Sequence, residues 1–267
     1  MEEVHLWRGS DEQRALRQRV FKSGQFAYFD GQLGRPRWRG RKVLDFGGSA
    51  GYLLLNPDCA ILEDDYYCLD VVRDAVEEGR ARFPRAHFVH YDRYNCSFNP
   101  EGAACLRVPD IGVEFDFVLA YSVFTHTGRE EMNELVSQLR ALLAPGGALA
   151  FTFIDPRHRS WPDSPERRDW DNLRWRLEKV RMEENPDVDV DSTAERARAA
   201  SRQCILVNGS DLYLDTDEIA HYEPEAQRTC YVFHTEEYVK SLFPEATVLP
   251  PANDEMQHCC VVRRERE

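Results

Sequence analysis

The chain has 267 residues, enough for one full-sized α/β domain with an elaboration and too few for two independent enzymes of ordinary size. Apolar residues make up 42% of it, and no apolar run reaches the roughly 18 residues that a membrane-crossing helix needs, so a soluble protein with no membrane partner is expected. A formal net charge of −13 would repel a nucleic-acid backbone and disfavours that class of partner.

Residues 1–40 read as a helical lead-in. The opening MEEVHLWRGSDEQ has neither the basic start nor the apolar stretch of a secretory signal, so a cytoplasmic protein is expected. Ala15, Leu16, Arg19 and Val20 sit at helical spacing, and the aromatic GQFAYFDGQ after them reads as a loop. A first strand follows in KVLDF from Lys42, ending at Asp45 and stopped by the turn GGSAG. Asn56-Pro57 comes early in the next segment, which makes the helix there short or irregular. The pattern then predicts strands at Tyr66–Val71, Ala86–Tyr91 and Phe115–Tyr121, with a helix at Arg73–Phe83. A second helix, Arg129–Ala144, aligns Met132, Leu135, Val136, Leu139, Leu142 and Leu143 on one face and is ended by Pro145-Gly146-Gly147, with a fifth strand at Ala148–Ile154.

Residues 156–230 break this rhythm, with many charges and Trp161, Trp170 and Trp175 interleaved, and read as an inserted, mainly helical cap above the ligand face. A helix at Thr235–Phe243 and strands at Thr247–Leu249 and His258–Arg263 complete the core, giving segments 1–40, 41–155, 156–230 and 231–267. Alternating strands and helices with near-continuous apolar strands predict an α/β fold, a doubly wound and mostly parallel sheet covered on both faces. Such sheets bind ligands at the carboxyl ends of their strands. The eight cysteines form no C-x-x-C pair, and Cys59, Cys68, Cys96 and Cys105 are too scattered for zinc, so free thiols and no metal are expected.

The most informative stretch is KVLDFGGSAG, Lys42–Gly51, where glycines after a strand allow the backbone to approach a ligand closely. Asp70 ends the second strand at the distance from that turn where a carboxylate accepts ribose hydroxyls of a nucleoside. Asp92 ends the third and is placed to accept from an exocyclic amine. Asp45, Asp70 and Asp92 thus converge on one crevice.

With these residues the chain resembles a class I S-adenosylmethionine-dependent methyltransferase of the broad group acting on small molecules. The resemblance runs over roughly residues 40–155: VLDFGGSAG, Asp70, Asp92, FDFVLAYSVFTH and LLAPGGALAFTF in order, with YVFHTEEYVKSLFP and QHCCVVRR resembling the last helix and strand. It implies the seven-stranded Rossmann-like sheet of that family and S-adenosylmethionine as cofactor. Asp45, Gly47, Gly48, Ser49, Gly51, Asp70, Val71, Asp92, Arg93, Tyr121 and Ser122 would surround it, and Tyr28 would close over its methionine end. Ser49 stands where the family has its middle glycine, and only Gly47 and Gly51 keep their places.

The turn also matches G-x-S-x-G, the nucleophile elbow of α/β hydrolases with Ser49 as nucleophile, but that fold needs several strands ahead of its elbow and one precedes Ser49 here. The dinucleotide fingerprint G-x-G-x-x-G is absent from the turn. A cyclase or binding module that reuses the cofactor fold is the other alternative. For methyl transfer, the candidate base is His126 in SVFTHT, a loop histidine that equally serves the loop's shape or an adenine contact; His158 in DPRHRSW is a second candidate to meet an acceptor. His221 and His234 are weaker candidates.

Overall fold

The computed structural model describes residues 24–95, 98–155, 203–207, 211–214, 230–252 and 257–266. Strands β1 (Val43–Phe46), β2 (Tyr66–Asp70), β3 (His87–His90), β4 (Phe115–Ala120), β5 (Leu143–Phe153), β9 (Thr247–Leu249) and β10 (His258–Arg263) form one sheet in the order β3-β2-β1-β4-β5-β10-β9. All neighbours pair in parallel except β10, which runs antiparallel to both β5 and β9. Every residue of β1 and β2 is buried, whereas the edge strands β3 and β9 each present an exposed residue. That contrast is what a sheet covered on both faces requires of its centre and tolerates at its edges.

The two faces divide by the period of two along each strand. Leu44 and Phe46 pack with Leu69, Val118 and Phe151 beneath helix α3 (Arg129–Ala141), whose Met132, Leu135, Val136 and Leu139 are all buried there. Helix α4 (Glu236–Leu242) adds Val239 to the same side. On the other face, Val43, Tyr66, Cys68 and Leu119 pack against helix α1 (residues 24–32) and helix α2 (Arg73–Arg82) through Phe26, Phe29 and Val76.

Three local expectations are corrected and one is met. GQFAYFDGQ is helical, because Phe26, Phe29 and Leu33 fall on one face and bury against the sheet. Helix α3 stops at Ala141 and β5 begins at Leu143, so Pro145-Gly146-Gly147 lies inside the strand: the register jumps from Phe115↔Leu143 to Phe117↔Ala148, Gly146 takes φ 77°, and a Cβ on Gly147 would stand 2.8 Å from the Phe115 carbonyl oxygen. The irregular segment after β1 holds two short 3₁₀ turns, Tyr52–Leu55 and Glu63–Asp65, in keeping with the short or irregular helix that Asn56-Pro57 implied. Wherever residues 203–234 are described they are strands, β6 (Gln203–Val207), β7 (Asp211–Leu214) and β8 (Cys230–His234), forming an antiparallel sheet in the order β7-β6-β8. The apolar CILV and DLYL runs flank Asn208-Gly209, the dipeptide of tight hairpins, which is why this part of the insertion is not helical. Residues 156–202, with all three tryptophans, lie outside the described residues. Among the described residues no helix is long and apolar enough to cross a membrane.

Candidate functional site

The carboxyl ends of β1, β2, β3 and β4 open on one side of the sheet, and the turn after β1 lies at the centre. Gly47 takes φ 77° and its N–H donates to the Leu69 carbonyl at 2.7 Å, holding the turn against β2. A Cβ there would stand 2.5 Å from Val123 Cγ2, and one on Gly51 (φ 71°) would stand 2.8 Å from Phe88 Cζ. A side chain at either place would displace a packed neighbour as well as strain the backbone. Gly48 is needed for a different reason: its Cβ would stand 2.5 Å from Asp45 Cγ.

Asp45 therefore lies beneath the turn, buried, with Oδ2 accepting from the Tyr66 hydroxyl at 2.6 Å. Burial, with the Asp45 charge beside it, pushes the Tyr66 phenol well above its ordinary range, so Tyr66 stays protonated and keeps donating. Ser49 occupies the middle-glycine position in the left-handed region, φ 56°, and its N–H donates to Asp70 Oδ2 at 2.7 Å. The Val72 N–H donates to Asp70 Oδ1 at 2.8 Å. The turn and the end of β2 are thus tied together by one carboxylate.

Asp92 lies exposed at the end of β3, with Oδ1 accepting from Asn99 Nδ2 at 3.1 Å. Arg93, beside it, is buried and its guanidinium is committed to α3: Nε donates to Glu131 at 3.0 Å, Nη2 to Glu134 at 2.9 Å and Nη1 to the Leu106 carbonyl at 2.6 Å. The Arg93 hydrogen bonds lower the Glu134 pKa, whereas burial outweighs Arg93 at Glu131 and raises it. This cluster pins the β3–β4 segment to α3. The Val71 carbonyl meets His90 Nε2 at 3.1 Å.

At the end of β4, Tyr121 is buried edge-on to Tyr28 of α1, ring centroids 5.3 Å apart, and the Tyr28 hydroxyl donates to the Gln257 carbonyl at 2.8 Å. Ser122 takes φ 57° and donates its N–H to Thr152 Oγ1 at 2.7 Å, while Thr152 in turn hydrogen-bonds the Gln257 side chain. His126 ends the 3₁₀ turn Phe124–His126, its ring edge-on to the exposed Phe98 at 5.0 Å and its carbonyl accepting from Asn95 Nδ2 at 3.4 Å. His234, fully buried, donates from Nε2 to the Thr127 carbonyl at 3.4 Å, and burial lowers its pKa to about 4. His158 and His221 lie outside the described residues.

The turn, Asp70 and Tyr121-Ser122 of the expected set are brought together, Asp92 lies on the adjoining strand, and Asp45 and the Arg93 side chain serve the framework. Sequence reasoning missed Asn95, Phe98 and Asn99, although Asn-x-x-x-Asn-Pro with Gly102 behind it is a turn signal. Gln257 carries no such signal. Among the described residues no strand precedes β1, and no group of three or more His, Cys, Asp or Glu is arranged to hold a metal.

A family model described as a methyltransferase domain matches residues 44–149. Among solved structures, the chain is similar to CalS10, an amino pentose methyltransferase from Micromonospora echinaspora, with TM-score 0.53 and 15% identity over 96% of this chain and 98% of that one. It is similar to an S-adenosylmethionine-dependent methyltransferase from Clostridium acetobutylicum, with TM-score 0.51 and 10% identity over 92% of each chain. The PH0226 protein from Pyrococcus horikoshii matches with TM-score 0.52 and 14% identity over 99% of this chain and 100% of that one. Sheet order and glycine turn agree with the family match, and residues 44–149 are similar to a methyltransferase domain.

Proposed function

We propose that the chain transfers the methyl group of S-adenosylmethionine to a small-molecule acceptor. The observation that carries this reading is the Asp70 carboxylate, which ends β2 facing the glycine turn and accepts one backbone N–H on each oxygen. The two amides fix the carboxylate's rotamer in advance at the strand end, where a nucleoside's ribose hydroxyls would meet a charged acceptor. That fits the cofactor's nucleoside. In the same reading Asp92 accepts from the adenine amine, Val71, Tyr121 and Ser122 line the nucleoside, and the Gly47–Gly51 turn with Tyr28 faces the methionine end. The small-molecule class is supported by the likeness to CalS10, a methyltransferase of an amino pentose.

The bound cofactor supplies an activated methyl group on sulfur with a good leaving group. What the protein has to do is hold the acceptor atom in line behind that methyl, and orientation of this kind supplies about 7–11 kcal/mol. A base is required only where the acceptor must lose a proton. His126 is the residue we assign to that role, because the turn after β4 carries it at the same end of the sheet as Asp70. His158, in the insertion, is assigned to the acceptor side.

Calorimetric titration with S-adenosylhomocysteine tests the reading. Wild-type protein binds it, and Asp70→Ala lowers the affinity by about ten- to a hundredfold, the loss expected for hydrogen bonds to a charged acceptor. Unchanged affinity in a folded Asp70→Ala variant removes the reading.

A further inference from the structure

The segment between β3 and β4 is more closely built than a connecting loop needs to be. Asn95 and Asn99 exchange both backbone hydrogen bonds, at 3.0 and 2.9 Å, and the Asn95 side-chain oxygen accepts from the Phe98 N–H at 3.1 Å. Tyr94 N–H donates to the Ala103 carbonyl at 3.0 Å, and Ala103 N–H to the Asp92 carbonyl at 2.8 Å. Across this small platform lies the Asn99 amide, with Nδ2 donating both to Asp92 Oδ1 at 3.1 Å and to the Arg93 carbonyl at 3.0 Å. Both partners are acceptors only, so the NH₂ end must face them, and the orientation of the amide is settled by chemistry. Gly102 makes room for it: a Cβ there would collide with Asn99 Nδ2 and stand 2.6 Å from the Arg93 oxygen. The platform is held to α3 by the buried Arg93 guanidinium with Glu131 and Glu134.

An exposed aspartate on a loop normally samples several rotamers. Here one carboxylate oxygen is tethered, and its companion, Oδ2, meets no hydrogen-bond donor among the described residues. We propose that Asn99 is a positioning residue that presents Asp92 Oδ2 as a fixed acceptor, and so makes the site select a 6-aminopurine over a 6-oxopurine. The inference rests on the S-adenosylmethionine reading. A purine amine offers an N–H to that oxygen; a 6-oxo group offers a lone pair, and acceptor would face acceptor. Without the tether the carboxylate turns into solvent and the distinction weakens.

The test measures the affinities of S-adenosylhomocysteine and its 6-oxo analogue, S-inosylhomocysteine, for each protein by calorimetry, with the fold checked by circular dichroism. Wild type prefers the amino compound by at least about tenfold, the effect of one hydrogen bond to a charged group. Asn99→Ala brings the ratio of the two affinities close to one, chiefly by weakening the amino compound. Gly102→Ala, which displaces the amide while keeping Asn99, moves the ratio the same way. Asp92→Ala abolishes the preference, and adding Asn99→Ala to it changes the ratio no further. A wild-type protein that binds both purines alike overturns the proposal, and so does an Asn99→Ala variant that weakens both ligands equally, which is what a merely structural role would produce. Wild type that binds neither compound overturns the cofactor reading itself, so the two failures are distinguishable.

Discussion

Asp45 and Asp70 stand at the ends of adjacent strands, yet their oxygens answer to different partners. The Asp45 carboxylate points with Val43 toward the face where Tyr66 waits on β2, and takes its hydroxyl; the Asp70 carboxylate takes two backbone amides beside the glycine turn. The strand pattern identifies both acids, but the Tyr66 contact depends on cross-strand register, which periodicity alone does not supply. Ser49 is the same kind of case: its left-handed φ of 56° and its bond to Asp70 follow from the closed turn, whereas the residue type alone only marks a departure. His126 has a direct check. Once an acceptor that needs deprotonation is identified, His126→Ala lowers kcat by about 10²–10⁴-fold while S-adenosylhomocysteine affinity stays within a factor of about three. A loss of less than tenfold in kcat, read from single-turnover kinetics, assigns the residue to the loop's shape instead.

The elements with strong periodicity were readable, and the misreadings fall where tertiary contacts override local punctuation. Thr247–Leu249 and His258–Arg263 are strands over the expected residues, and the helix expected at Thr235–Phe243 forms as Glu236–Leu242 with the two outer residues as its caps. Pro145-Gly146-Gly147 looked like a helix stop, but it is the bulge that lets β5 re-register against β4. Residues 24–32 resembled a loop because glycine and aspartate punctuate them, and burial of Phe26 and Phe29 decided otherwise. Two substitutions test element-level statements. Thr235 Oγ1 accepts from the Tyr238 N–H at 3.2 Å, and Asp155 Oδ2 accepts from the Glu236 N–H at 2.7 Å, so the start of α4 is capped twice. Thr235→Ala costs about 1 kcal/mol in urea denaturation. Gly79→Ala gains about 1 kcal/mol of intrinsic helix propensity in α2 but drives a Cβ into Phe88, so the net result is destabilisation by about 1–3 kcal/mol; a stabilised variant contradicts the packing described.

The seven-stranded α/β core is the most legible feature of the whole chain, because seven strands in one order leave few arrangements for their helices. The three-stranded sheet is not legible in the sequence, because its strands are only four or five residues long and follow a densely charged stretch without strand periodicity. Global stability should respond to two variables. S-adenosylhomocysteine at a hundred times its dissociation constant adds about 2.7 kcal/mol and raises Tm by several degrees, whereas NAD at the same concentration leaves Tm in place. Acid should act partly through His234: with its pKa lowered to about 4 by burial, the folded protein stays neutral there while the unfolded chain takes up a proton below about 6.5. Stability is therefore unaffected by this group above pH 6.5, falls by at most about 1.4 kcal/mol per unit between 6.5 and 4, and levels off below that. The fall over that window is shallower in His234→Gln, as measured by denaturation at a series of pH values. The antiparallel strand β10 has a consequence for the order in which the molecule can assemble. It lies between β5 and β9 and is synthesised after both. Until residues 258–263 leave the ribosome, β9 has no neighbour in the sheet and β5 presents a long unpaired margin, the kind of surface that chaperones cover and that other nascent chains can join. The parallel half from β3 to β5 has all its strands available earlier, so translation gives this protein a time when one side of its sheet can be finished and the other is still open.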